Sequence, residues 1–239
     1  MLRNPGLRKS VEQPVLDLNF AASQIGSNAA PDSRIAFSRG SNAWFVDSDG
    51  LVKKSPHNLL LRSEDFSTTW LTSGTVSTNT HTAPDGTLTA DTASGSGTQP
   101  AQTISSAAGG FFYGISVYID VTNSTSPYLR LRLAQSTQEN AWFNLFTLVV
   151  GTTSSNITHT EVTNVGGGWY RFTVILDAPD AWTSLNYGIA GVSADNSGTA
   201  NGNLVLWGAQ VSQHTTLPVD NPYIKTEGSA VYAARLDHD

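Results

Sequence analysis

From about Asn58 onward, apolar residues tend to fall at every second position, in short bursts separated by turn residues. In Gly114-Ile115-Ser116-Val117-Tyr118-Ile119-Asp120-Val121, the set Ile115, Val117, Ile119 and Val121 falls on one side of an extended strand. In Tyr128-Leu129-Arg130-Leu131-Arg132-Leu133 the three leucines face a core, and Tyr128, Arg130 and Arg132 face outward. This period of two predicts strands at 75–80, 88–91, 101–104, 111–121, 128–134, 141–147, 157–165, 169–176, 185–192 and 204–210. Turn signals divide them at Pro84-Asp85-Gly86, Gly109-Gly110, Asn123-Ser124, Gly166-Gly167-Gly168 and Gly202-Asn203. Many short strands with regular turns and no fixed repeat read as a two-sheet β-sandwich.

The pattern is absent before that point. Residues 1–36 carry little periodicity, apart from Leu16, Leu18 and Phe20 alternating as one short strand and 21–25 as a short helix. Residues 34–45 supply a further short strand that ends at the turn Asp47-Ser48-Asp49-Gly50. Such a stretch buries too little surface to fold alone, so it is expected to fold against a partner or another protomer. The expected organisation is an extended arm at 1–57, a sandwich at 58–225 and a linker at 226–239.

Charge sharpens this division. Residues 1–62 hold eight Lys and Arg against five acids, a local +3, and the remaining 13 − 8 = 5 basic and 19 − 5 = 14 acidic residues leave −9. A basic arm on an acidic body reads as a docking tail, with Arg3, Arg8, Lys9, Leu16, Leu18 and Phe20 as its contact residues. The arm has no dense Lys/Arg run, so nucleic acid is not the expected partner. No apolar run approaches the 18 residues of a membrane span. The opening MLRNPGLRKS lacks the apolar centre of a signal peptide, so synthesis without export is expected. Only 13% of residues are charged, 21 are Gly and none is Cys, which favours β structure and excludes disulfides and thiolate metal sites.

Catalytic chemistry finds little support. His57, His81, His159, His214 and His238 are scattered without metal-ligand spacing, and no Gly-x-Ser-x-Gly elbow occurs. Asp177 and Asp180 sit in a loop-like run as turn formers, so no enzyme activity is expected. No cofactor is expected either. A structural calcium has Asp85, Asp91, Asp120 and Asp195 as candidate ligands, without EF-hand spacing. The best candidate recognition surface is Tyr128, Arg130, Arg132, Gln138, Asn140 and Trp142, which supply an aromatic, amide and guanidinium mixture along two successive strands. That face is open to three readings: a glycan site, a protein contact, or no ligand, with Trp142 and Trp169 as core. Trp207, inside an apolar strand, reads as core.

Two sets of phrases carry a family resemblance. Residues 37–70, with Val46-Asp47-Ser48-Asp49-Gly50-Leu51 leading into Asn58-Leu59-Leu60 and Ser63-Glu64-Asp65-Phe66, resemble a segment that recurs in virion proteins of tailed bacteriophages. Ala101-Gln102-Thr103-Ile104, Phe112-Tyr113-Gly114-Ile115-Ser116-Val117-Tyr118, Ala141-Trp142-Phe143-Asn144-Leu145, Gly168-Trp169-Tyr170-Arg171-Phe172 and Leu206-Trp207-Gly208-Ala209-Gln210-Val211 are similar, in order, to strands of jelly-roll carbohydrate-binding modules. Tyr223-Ile224-Lys225-Thr226-Glu227-Gly228-Ser229-Ala230 resembles their exit segment. Ala234-Arg235-Leu236-Asp237-His238-Asp239 resembles a phrase that leads into a further domain. The resemblance implies an all-β jelly-roll sandwich behind an extended arm, in a tail fibre or tail spike, located in the virion and anchored by its arm to other virion proteins. It also implies a homotrimer, and a receptor-binding or depolymerase region beyond Asp239. The alternatives it implies are a module that contacts host surface glycan and a capsid decoration or head-fibre protein.

Overall fold

The computed structural model describes residues 39–46, 50–95, 100–217 and 222–233. The chain divides into two units, Phe37–Arg235 and Met1–Ala36 with Leu236–Asp239. The second unit lies outside the described residues, and with it Arg3, Arg8, Lys9, the strand of Leu16, Leu18 and Phe20, and the helix expected at 21–25.

No helix forms among the described residues. The leading hairpin pairs β1 (Trp44–Val46) with β2 (Val52–Lys54), and β3 (His57–Asn58) follows. The body then runs β4 (Thr75–His81), β5 (Ala90–Ser94), β6 (Ala101–Ile104), β7 (Phe112–Asp120), β8 (Tyr128–Ala134), β9 (Gln138–Asn144) and β10 (Val150–Thr153). It continues through β11 (Ile157–Gly166), β12 (Trp169–Asp177), β13 (Leu185–Val192) and β14 (Asn203–His214), and β15 (Val231–Tyr232) closes back on β3. One sheet has the order β10-β9-β8-β13-β6 and the other β11-β12-β7-β14-β5-β4, with antiparallel neighbours throughout.

The order of crossing between sheets defines the topology. Taking β5, β6, β7, β8, β9, β12, β13 and β14 as eight successive strands, the first, eighth, third and sixth lie side by side in one sheet. The second, seventh, fourth and fifth lie side by side in the other. That arrangement is the jelly roll, two Greek keys folded over each other. The strands β4, β10 and β11 extend its edges by hairpins.

Period-two sequence explains the core. Leu129, Leu131 and Leu133 of β8 and Phe143 of β9 face Ile115, Val117 and Ile119 of β7 and Phe172, Val174 and Leu176 of β12, all of them fully buried. Phe143 and Phe172 meet edge to face across the two sheets, ring centroids 5.2 Å apart at 71°, a favoured aromatic geometry. A bulge lets β14 serve two cores. Leu204 and Leu206 point into the main core, and Val205 and Trp207 point the other way, into a second cluster with Ala83, Ala90 and Trp169. The register then slips between Trp207 and Gln210, so that Ala209 and Val211 face the main core again. Gly208 makes the slip feasible: its φ is +62°, and a Cβ there would lie 2.9 Å from the Tyr118 ring.

Hydrogen bonds join the start and the end of the sandwich. Asn58 hydrogen-bonds through Nδ2 to the carbonyls of Ala209 and Ile224, at 3.0 and 2.8 Å. The Arg62 and Ser63 amides donate to the Glu227 and Thr226 carbonyls. Residues 58–63 and 224–227 therefore run together alongside β14, beyond the point where its pairing with β5 ends at Leu206. The β1–β2 hairpin and the 226–233 stretch lie in the same unit, Phe37–Arg235.

Candidate functional site

The antiparallel register of β8 and β9 gathers the whole predicted recognition set on one face. Tyr128 pairs with Asn144, Arg130 with Trp142, Arg132 with Asn140 and Ala134 with Gln138. Since alternate residues share a face, Tyr128, Arg130, Arg132, Gln138, Asn140 and Trp142 all lie on the outer side of the five-stranded sheet, opposite the leucine core. On the next strand Gly188 stands beside Arg132 and Ala190 beside Arg130, and Ala101 of β6 continues the row past Gly188. These small residues leave room for the guanidiniums to lie along the sheet. A Cβ at Gly188 would come 3.5 Å from Arg132 Nε.

The expectation of an open row of side chains needs correcting. Arg130 is only 8% exposed and Trp142 only 6%. Trp142 packs with Ala190, Val192 and Tyr128, and its indole N–H donates to the Ser197 carbonyl at 2.8 Å. The 193–202 connection therefore folds over this end of the face, and a methyl on Gly198 would sit 3.1 Å from Arg130 Nη1. Trp142 is a fixed support here, with little ring area left for a sugar. Arg132, Asn140 and Tyr128 are half-buried and Gln138 is exposed, so the face opens toward β6 and the β8–β9 turn.

Hydrogen bonding on this face is incomplete. Arg132 Nη2 donates to Asn186 Oδ1 at 2.9 Å, and Asn186 Nδ2 donates to Thr103 Oγ1 at 3.0 Å. The buried atoms Arg130 Nε, Arg132 Nε and Asn140 Oδ1 have no hydrogen-bond partner. No ion pair with a carboxylate reaches either arginine among the described residues. Burial, reinforced by the adjacent Arg132 charge, holds the Arg130 guanidinium below its usual range.

A second constellation joins residues that sequence spacing kept apart. His57 and His214 stand with ring centroids 5.9 Å apart, and Tyr232 stacks on His57 at 5.9 Å. The Gln213 amide donates to His57 Nε2 at 2.8 Å, which places the proton on Nδ1, 2.7 Å from the Ser55 carbonyl. His214 Nε2 lies 2.7 Å from Ser212 Oγ. Lys54 bonds Gln213 Oε1 and lies over the Trp44 and Phe111 rings at 4.9 and 4.7 Å. Burial, offset in part by the Ser55 carbonyl and reinforced by Lys54, lowers the His57 imidazole to about 4. Burial and the charges of His57, Lys54 and Lys53 lower that of His214 to about 3. The group joins the leading hairpin and β3 to β14, as a clamp.

The four aspartates considered for calcium lie apart, Asp91 within β5 and the others at or beside turns, and each accepts hydrogen bonds from its neighbours. Asp85 accepts from Thr87 N and Oγ1. Asp91 accepts from the Phe66 and Asn79 amides. Asp120 accepts from the Thr122 and Asn123 amides and from Asn123 Nδ2. Asp195 accepts from Thr152 N and Oγ1. Among the described residues no three acidic or histidine side chains converge on a metal position, and no helix is long and apolar enough to cross a membrane. Asp177 ends β12 and Asp180 lies in the loop after it, beside Gly109.

Fold and site define the class as an all-β jelly-roll sandwich with a guanidinium-bearing outer face. No protein-family model matches the chain, and no curated protein matches it in sequence.

Proposed function

We propose that this chain is a structural component of a tailed-bacteriophage virion, of the tail-fibre or tail-spike type, whose N-terminal arm docks on neighbouring virion proteins. The observation that carries this reading is the order of the resembling phrases. The five phrases similar to jelly-roll carbohydrate-binding modules fall on β6, β7, β9, β12 and β14, one per strand and in chain order. The phage-like 37–70 phrase holds the hairpin and clamp through which the chain enters the sandwich. A further support is the apolar surface at that entry. Trp44 and Val46 are 52% and 60% exposed, with Val52 paired to Val46 on the same side. An apolar face directly after a basic arm suits a protein interface. A symmetric trimer would bring three such faces together at the point of attachment.

A deletion of the arm tests this, and the structure sets where it should end. Removing residues 1–57 would also take Ser55 and His57, which belong to the clamp. Removing residues 2–36 leaves the sandwich unit intact. The shortened chain should fold, with unchanged β circular dichroism, and fail to enter particles. Normal incorporation would overturn the proposal.

A further inference from the structure

We propose that the outer face around Arg130 and Arg132 is a binding site for the carboxylate of an acidic saccharide. This goes beyond the virion role and does not depend on where in a particle the protein sits. The starting point is an energetic debt. Arg130 is largely buried, its Nε is buried without a hydrogen-bond partner, and among the described residues no carboxylate pairs with its guanidinium, so part of the cost of burying a cation is not offset. A second arginine, Arg132, stands two residues along the same face, its Cα about 7 Å away, and its charge adds like-charge repulsion. Purely structural packing would favour a methionine at such a position. A ligand anion lying against both groups resolves burial and repulsion together.

The surroundings select the ligand. The strands β8, β9 and β13 beneath the site each have a neighbour on both sides, so their backbone amides go to ladder bonds and not to a phosphate or sulfate. The donors on offer are planar guanidinium forks, which match a carboxylate. Around them stand neutral groups suited to sugar hydroxyls: the exposed Gln138, half-buried Asn140, and Asn186 with Thr103 Oγ1. The small floor of Gly188 and Ala101 leaves space above Arg132 on the side away from the 193–202 cover. The −9 balance of residues 63–239 repels polyanions in general, so an acidic ligand needs this local pair of positive charges to be held at all.

The test is calorimetric titration of the full chain with galacturonate, hyaluronate and sialate oligomers, each beside its carboxyl-reduced neutral counterpart. Sodium sulfate at equal ionic strength serves as the plain-anion arm. At least one acidic oligomer should bind, its neutral counterpart should bind on the order of tenfold or more weakly, and sulfate should not compete. Arg132→Gln and Arg130→Met should each remove that preference by a similar factor, and Arg130→Met should leave the melting temperature equal or higher. Four results would overturn the proposal: no binding of any acidic oligomer, equal binding of the neutral partner, equal competition by sulfate, or wild-type affinity in both variants. Unfolding of Arg130→Met would show the guanidinium to be structural and withdraw it from the site, leaving Arg132→Gln to decide the rest.

Discussion

Acidification should loosen the clamp between the leading hairpin and the sandwich, and the size of the effect follows from two histidines. In the folded protein His57 and His214 titrate at about 4 and about 3, against an ordinary 6.5. As pH falls through 6.5 the unfolded chain takes up a proton at each and the folded chain does not. Their contribution to stability is therefore fully present above pH 6.5 and is lost as pH falls toward 4. Each histidine costs on the order of 1 kcal/mol per pH unit in that window. Between pH 6.5 and 4.5 the pair should remove roughly 2–5 kcal/mol, a large share of a typical domain's stability. Asp91 works in the opposite direction, since burial raises its carboxyl, but it is the same in every variant compared. The assay is urea unfolding followed by tryptophan fluorescence at half-unit pH steps, for wild type, His57→Gln, His214→Gln and the double variant. Wild-type stability should fall steeply from pH 6.5 to 4.5, each single variant should lose about half the slope, and the double variant should be nearly flat. An equal slope in wild type and double variant would refute the reasoning.

Further outcomes follow from packing. Phe143→Ala removes a fully buried ring that bridges the sheets against Phe172, and chemical denaturation should show a loss of about 3–5 kcal/mol. Gly208→Val places a branched side chain at φ +62° and against the Tyr118 ring. It should destabilise by more than about 2 kcal/mol, and a melting temperature within a degree of wild type would contradict the bulge argument. Trp142→Phe deletes the bond to the Ser197 carbonyl. Hydrogen exchange should rise in the 193–199 amides with a stability change of only about 1 kcal/mol.

Much of the sandwich is legible in the sequence because inward residues recur every second position. The strands β6, β8 and β13 match the pattern at both ends, since apolar alternation and turn residues agree there. Strand β14 extends past the expected 204–210 to His214, because Gly208 breaks the period and hides the second half. Strands β2, β3, β10 and β15 escape the pattern, being only two to four residues long and mostly part-exposed. Strand β9 begins at Gln138 and not at 141, since its polar start is held by pairing with β8. The outer face of β8 and β9 is legible as a set, because two strands of a hairpin share parity. Its closure is not, because the 193–202 cover comes from far along the chain. The meeting of His57 and His214 is likewise a product of topology, not of spacing.

The most direct measurement is quantitative mass spectrometry of purified phage particles from a host expressing either the full chain or the chain lacking residues 2–36. The proposed role predicts a fixed copy number of the full chain per particle, in multiples of three, and none of the shortened chain. Particles that lack the full chain, or that carry both forms equally, would contradict it.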